Sequence, residues 1–230
     1  MTPQVPDTIP RAALLAGGSQ PLVTAIAQAL AGAGFAVAIQ CHADAAEDLP
    51  DGMLALPADL TDEVQTAALI GRATDALGPI GVLVNCAGTV QRDSWDDATR
   101  ATWDMHIETN LRAPFVLIQH FASTLPASSE GVVINLLDQR IHAHLVSYTL
   151  SKAALWTLTQ TMALALAPRI RVNGIAPGPT LGPPRDRSSH ADGDARPEEV
   201  AQAALAILAL RSMTGQMIVP DGAPRPAQEE

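Results

Sequence analysis

Residues 132–175, VVINLLDQRIHAHLVSYTLSKAALWTLTQTMALALAPRIRVNGI, decide the fold. Residues 132–137 and 170–175 are short runs dominated by Val, Ile and Leu, and residues 147–167 between them read as one long helix. A strand with one wet face alternates apolar and polar residues, whereas an unbroken apolar run marks a strand buried on both faces. Two such strands joined through a helix form a parallel βαβ unit with a right-handed crossover.

The same alternation extends in both directions. Residues 12–16, 35–39, 53–56 and 80–84 read as strands, and residues 21–33, 61–77 and 99–125 as helices. Pro21 suits a first helical turn, where its missing N–H would have no partner. Thr61, with Glu63 nearby, is placed to cap the second helix. Pro114 should kink or crowd the third. Further on, residues 198–211 read as a helix and 217–219 as a seventh strand. The expectation is a single α/β domain over residues 11–222, a doubly wound sheet of seven parallel strands flanked by helices. Residues 1–10 are expected to be a flexible tail, residues 223–230 a polar one, and residues 178–194, rich in Pro, Gly, Ser and charge, a loop. Ligands of such sheets bind outside the carboxyl ends of the strands. The functional candidates are therefore Gly17-Gly18-Ser19, Cys41-His42, Asp59, Asn85 to Gly88, Asp138, and Pro177 to Thr180.

Composition narrows the function. At 230 residues, 47% hydrophobic and 17% charged, the chain can bury a sizeable core. A net charge of -10 opposes phosphate backbones, which sets nucleic acid aside as a partner. Cys41 and Cys86 have neither metal-ligand spacing nor a disulfide framework, and suit a reducing compartment. His142 and His144 flank Ala143 and read as polar loop residues, so no metal is expected. The first ten residues hold three prolines and no apolar run, unlike a signal peptide. No stretch approaches the roughly 18 charge-free apolar residues of a membrane span. The expectation is a cytoplasmic protein with no membrane partner, acting on a small molecule.

One pair carries chemistry. Tyr148 is the sole tyrosine and Lys152 the sole lysine among 14 lysines and arginines. They stand at i and i+4 near the start of a helix, side by side on one face. Random placement would put that lysine there roughly once in 230. A phenol has a pKa near 10 and exchanges protons poorly at neutral pH. An ammonium at about 4 Å, at an effective dielectric near 20, favours the phenolate by on the order of 4 kcal/mol. That corresponds to up to about three pKa units before desolvation subtracts, enough to bring tyrosine towards the working pH of an acid–base catalyst. The lysine also offers three donors to a ribose.

Tyr148-Thr-Leu-Ser-Lys152 resembles the YxxxK signature of the short-chain dehydrogenase/reductase family. Asn85-Cys-Ala-Gly88 resembles its NNAG element, and Asn110, in Thr109-Asn110-Leu111, the helix asparagine that supports a proton relay. Arg171 to Gly178 is similar to the segment lining the nicotinamide, Asp59 to the acid at the adenine, and Thr214 to Gly222 to the C-terminal strand. The likeness runs from Arg11 to Gly222. It implies a Rossmann-type fold with Tyr148, Lys152, Asp138 and Asn110 as the catalytic set. It implies a cofactor site drawn from Gly17, Ser19, His42, Asp59, Leu60, Asn85, Ala87, Gly88, Lys152, Pro177, Gly178 and Thr180. It also implies a homodimer or homotetramer built through the helices holding Asn110 and Tyr148. Most members place a serine where this chain has Asp138; pteridine reductases are similar in carrying Asp. That points to NADPH-dependent reduction of a pterin or dihydrofolate-like ring, with Tyr148 as proton donor. A carboxylate at 138 would raise the tyrosine pKa against Lys152, so the two are expected to titrate as a coupled unit.

The chain departs from the family in three places. Of the TGxxxGxG loop only the first glycine, Gly17, remains; Pro21 and Val23 replace the others, removing a donor and adding bulk near the pyrophosphate. Strand two ends Gln40-Cys41-His42 without the acid that holds an NAD ribose, which favours NADP(H) over NAD(H), with His42 a candidate for the 2′-phosphate. The spans from Asp138 to Tyr148 and from Gly178 to Arg196 are short, which leaves the site more open to water. These losses support a competing reading, a cofactor-impaired fold-mate acting as a binding or assembly subunit. A third reading is a reductase of another carbonyl substrate.

Overall fold

The computed structural model describes residues 5–18, 20–42, 49–177 and 195–220. Strands β1 (Ala12–Ala16), β2 (Ala36–Cys41), β3 (Leu54–Pro57), β4 (Ile80–Asn85), β5 (Gly131–Leu136), β6 (Ile170–Ile175) and β7 (Met217–Ile218) form one sheet in the order β3-β2-β1-β4-β5-β6-β7. Every pairing is parallel. β1, β4, β5 and β6 are buried at every residue, as their unbroken apolar runs require. Pro57 is tolerated because β3 is an edge strand with one side free of partners.

Alternate strand residues feed two separate cores. Ala13, Leu15, Val37, Ile39, Val82 and Val84 face one layer of helices, α1 (Pro21–Gly32) and α6 (Pro197–Ala209). α1 meets them with Val23, Ile26, Ala27 and Leu30, the i, i+3, i+4, i+7 stripe of an amphipathic helix. Val23 is thus accommodated in the core, at 2% exposure. Leu14, Ala38, Leu83, Val133 and Val172 face the other layer, α2 (Glu63–Leu77), α4 (Ala113–Thr124) and α5 (Val146–Leu166).

Three expectations need correction. Residues 5–10 are no loose tail: Val5 and Ile9 are buried in the first core, and the Glu130 amide donates to Thr8 O at 3.0 Å. Two isolated apolar residues among prolines give no periodic signal, so the packing was invisible in sequence. The cap of α2 is Asp62 rather than Thr61; its Oδ1 accepts from the Val64 and Gln65 amides at 2.9 and 3.2 Å. The expected helix over 99–125 is two helices, α3 (Arg100–Ile107) and α4, joined by a π turn (Glu108–Arg112). The wider turn puts Pro114 in the first turn of α4, where it needs no donor, so the proline does not kink a helix interior.

Arg171 holds the C-terminal part of the chain to the sheet. Its buried guanidinium reaches from β6 to the end of α6, donating to Ile207 O at 2.8 Å, Leu208 O at 3.1 Å, Leu210 O at 3.0 Å and Met213 O at 3.0 Å. Ile207 O and Leu208 O belong to the last turn of α6, whose carbonyls a helix end leaves without amide partners, and a cation is favoured there. Arg171→Leu is expected to lower unfolding free energy by about 3 kcal/mol in a urea titration, with Arg171→Lys recovering only part. A loss below about 1 kcal/mol would mean that water replaces the guanidinium without penalty.

Candidate active site

The sheet order reverses between β1 and β4, and the chain leaves both strands there. Ala16 O accepts from both the Cys86 and Ala87 amides, each at 2.7 Å. This draws the two turns so close that a side chain at Gly17 (φ 149°) would lie 2.7 Å from Ala87 N. Gly18, at φ 75°, donates from its amide to Gln40 O at 2.8 Å. Around this junction opens a cavity of about 460 Å³. Gly17, Gly18, Gln20, Gln40 and His42 line one side, Asp59, Leu60 and Thr61 follow β3, Ala87, Gly88 and Thr89 follow β4, and Met105 and Thr109 come from the α3 region. Asp59 accepts from the amide and hydroxyl of Thr61 at 2.9 and 2.8 Å, and these bonds hold its carboxyl below the usual range. Gln40 is 3% exposed and donates to Ala58 O at 2.8 Å, while its Oε1 is buried without a partner among the described residues.

Gly17, His42, Asp59, Leu60, Ala87 and Gly88 thus line one cavity. Asn85 does not join them by its side chain. It is 2% exposed and donates inward to Asn135 Oδ1 at 2.7 Å, and Asn135 in turn to Thr159 Oγ1 at 2.8 Å. Pro177 is buried beyond the end of β6. Ser19, Gly178 and Thr180 lie outside the described residues.

Behind Gly88 stands a second group of side chains. A Cβ at Gly88 would come within 3.2 Å of Lys152 Nζ and 3.9 Å of Asn110 Oδ1, so glycine there lets the loop rest on both. The π turn carries Asn110, which is fully buried. Its Oδ1 accepts from the Thr89 amide at 2.9 Å, and its Nδ2 donates to Thr89 O at 3.2 Å and Ser151 Oγ at 3.0 Å. Ser151 Oγ donates on to Tyr148 O at 2.7 Å. Asn110 therefore ties the loop after β4 to α5.

Tyr148 and Lys152 share the buried face of α5, at 1% and 2% exposure. Their coupling differs from the expectation. Lys152 Nζ donates to Leu136 O at 3.0 Å, and the Tyr148 hydroxyl donates to Asp138 Oδ2 at 3.2 Å. Burial first, then the charge and hydrogen bond of Asp138, push the phenol well above its ordinary value, against the pull of Arg140. The carboxylate and desolvation outweigh that pull. Burial pulls Lys152 down to about 8, opposed by Asp138 and Cys86. Asp138, with a side chain 5% exposed, would be pushed up by burial. Arg140 prevents this: its Nε and Nη2 each donate to the carboxylate at 3.1 Å and its amide at 3.0 Å, which holds Asp138 below the usual carboxylate range. His142 Nε2 lies 3.7 Å from the same carboxylate. Arg140, His142, Ser151, Thr89 and Gln40 were not among the sequence candidates. Only Arg140, two residues after an acid in an apolar setting, left a readable trace.

A doubly wound parallel sheet, a cavity at its switch point and a buried Tyr–Lys pair beside that cavity define an α/β oxidoreductase. The family model for short chain dehydrogenases matches residues 11–192, and the chain belongs to that family. Among solved structures it is similar to FolM alternative dihydrofolate reductase 1 from Brucella suis in complex with NADP, at 39% identity and a TM-score of 0.83, covering 92% of this chain and 93% of that one. A short chain dehydrogenase from Burkholderia cenocepacia in complex with NADP is 30% identical, with a TM-score of 0.81 and coverage of 91% and 96%. The cis-4-hydroxycyclohexanecarboxylate dehydrogenase of Sinomonas cyclohexanicum is 32% identical, with 92% of this chain and 95% of that protein covered.

Two titrations check this electrostatic picture. With one lysine in the sequence, [15N]lysine labelling reports Lys152 alone, and its ammonium is expected to titrate near 8 in the free protein. A midpoint at the ordinary 10.5 would mean that the amine is solvated. The depressed Asp138 pKa contributes stability that is present above the unfolded value of about 4 and is lost as pH falls through the folded value. Arg140→Gln removes the guanidinium, leaves only the amide at 140 and the Tyr148 hydroxyl against burial, and so raises that pKa. The variant's unfolding midpoint in urea should therefore fall at a higher pH on acidification than the parent's, and coincident curves would refute the assignment.

Proposed function

We propose that the protein is an NADPH-dependent reductase of a pterin or dihydrofolate-like ring, with Tyr148 as proton donor. The observation that carries this reading is the Tyr148 hydroxyl donating to a carboxylate that Arg140 keeps ionised. A phenol in that setting stays protonated at neutral pH, so it stores a proton for reduction instead of serving as a base for oxidation. Asp138 aims the phenol and receives its hydrogen bond until the substrate nitrogen gains electron density. Lys152, with a pKa near 8, presents an ammonium for ribose hydroxyls while supporting the end of β5 through Leu136 O. Asn110 fixes the loop that carries Gly88 and Thr89.

The residues fit a dinucleotide. The cavity lies within the range of small-molecule sites, roughly 300–1,000 Å³. Gln20 gives α1 no side-chain cap, which leaves first-turn amides for a phosphate even though Pro21 supplies none. Gln40 Oε1 offers an unused acceptor in the wall. Gly17, Ala87, Asp59 and Leu60 would border the cofactor, and His42, exposed at the mouth, would meet a 2′-phosphate. When bound, NADPH supplies the hydride. The similarity to an alternative dihydrofolate reductase complexed with NADP supports both the cofactor and the substrate class. The Sinomonas relative supports a second reading, the reduction of a cyclic ketone at the same site.

Calorimetry should give micromolar NADPH binding and NADH binding at least about tenfold weaker. Tyr148→Phe should keep NADPH affinity within about twofold while lowering dihydropterin-dependent NADPH oxidation by roughly a hundredfold or more. Absence of binding to either cofactor at millimolar concentration would favour the assembly-subunit reading, and turnover of cyclic ketones alone would favour the second.

A further inference from the structure

Three buried polar residues beside Tyr148 take no part in the proposed reaction. Asp93 lies between β4 and α3, His106 in α3 and Ser147 in the first turn of α5, each at most 2% exposed. The Gln91 amide donates to His106 Nε2 at 2.9 Å, so the ring proton sits on Nδ1. Nδ1 lies 2.6 Å from Ser147 Oγ and donates to it. The hydroxyl, its acceptor site so used, donates to the Asp93 carboxylate. The chain is directional, because each donor is set by the one before it.

Asp93 also holds the start of α5. Its Oδ1 accepts from the Ser147 amide at 3.2 Å and its backbone oxygen from the Val146 amide at 3.3 Å. Leu145, at the N-cap position, offers no side-chain cap. A residue remote in sequence therefore caps the helix and places negative charge at its positive end. The next residue along that turn is Tyr148, whose ring meets His106 edge-on at 6.0 Å between centroids.

We propose that Asp93, Ser147 and His106 are positioning residues that clamp the first turn of α5 and thereby aim the Tyr148 phenol, an inference that rests on Tyr148 being the proton donor. A carboxylate at 93 is required for the chain's direction. An amide in its place would present a donor to Ser147 Oγ and force His106 into the tautomer that faces the Gln91 N–H.

The test is NMR with kinetics on the full chain. The sole tyrosine means that [13C]tyrosine labelling reports Tyr148 alone. In [15N]histidine-labelled protein, the signal lost in His106→Gln identifies His106, which is expected to be protonated on Nδ1 and bare on Nε2. In Ser147→Ala the Tyr148 ring signals should shift and kcat fall about tenfold, with NADPH affinity within about twofold of the parent. Ser147→Thr, which keeps the hydroxyl, should restore both. Should Ser147→Ala fail to fold, His106→Gln is read in the same way. Protonation of His106 on Nε2, or a folded Ser147→Ala with parental Tyr148 signals and parental kcat, would overturn the proposal. If no variant turns over a dihydropterin, the substrate reading fails, and the His106 tautomer and the Tyr148 shift decide the clamp by themselves.

Discussion

The two hydrogen bonds on Ala16 O set the geometry of everything around the site. With the Cys86 and Ala87 amides both at 2.7 Å, β1 and β4 leave the sheet almost in contact. Only glycine fits at position 17, the chain after β1 bends away towards Gln40, and the cavity opens where the strand order reverses. The same loop then carries Gly88 against Lys152, and Lys152 reaches Leu136 on β5. A line of close contacts thus runs from β1 through β4 and α5 to β5, each step requiring the previous one to be in register.

Electrostatics at the site is decided by burial more than by proximity. An ammonium near a phenol could favour the phenolate by on the order of 4 kcal/mol. Here the opposing terms win, because Tyr148 is 1% exposed and its hydrogen-bond partner is an anion. Asp138 alone would also have been pushed towards neutrality, and it escapes because Arg140 spends three hydrogen bonds on it. The arrangement is a proton held on tyrosine, a charge held on aspartate, and a lysine whose charge is easily changed.

Periodicity made the sheet legible. Unbroken Val, Ile and Leu runs are a direct imprint of burial on both faces, and β1, β4, β5 and β6 fall within one or two residues of where those runs stand. The Tyr–Lys pair was legible because composition isolates it. What stayed hidden depends on partners distant in sequence. The π turn answers Pro114 and the inward demand of Asn110 together, and neither residue alone signals it. Arg171 looked like part of a cofactor-lining segment, yet its guanidinium serves carbonyls more than thirty residues further on. Asp93 caps a helix that begins 53 residues later, and no residue near it in sequence signals that role. Val23, which looked obstructive beside the family glycine, is a core residue.

The placement of Lys152 has one more consequence. Cells tag proteins for turnover, and regulate enzymes by acyl transfer, through the ε-amino groups of lysines. This sequence contains a single such group, and it is buried behind Gly88 with its nitrogen bonded to Leu136 O. The other lysine-or-arginine positions are all arginines, which keep charge and ion pairing while offering no nucleophilic amine. The folded chain therefore shows lysine-directed conjugation machinery no acceptor until α5 has come away from the sheet.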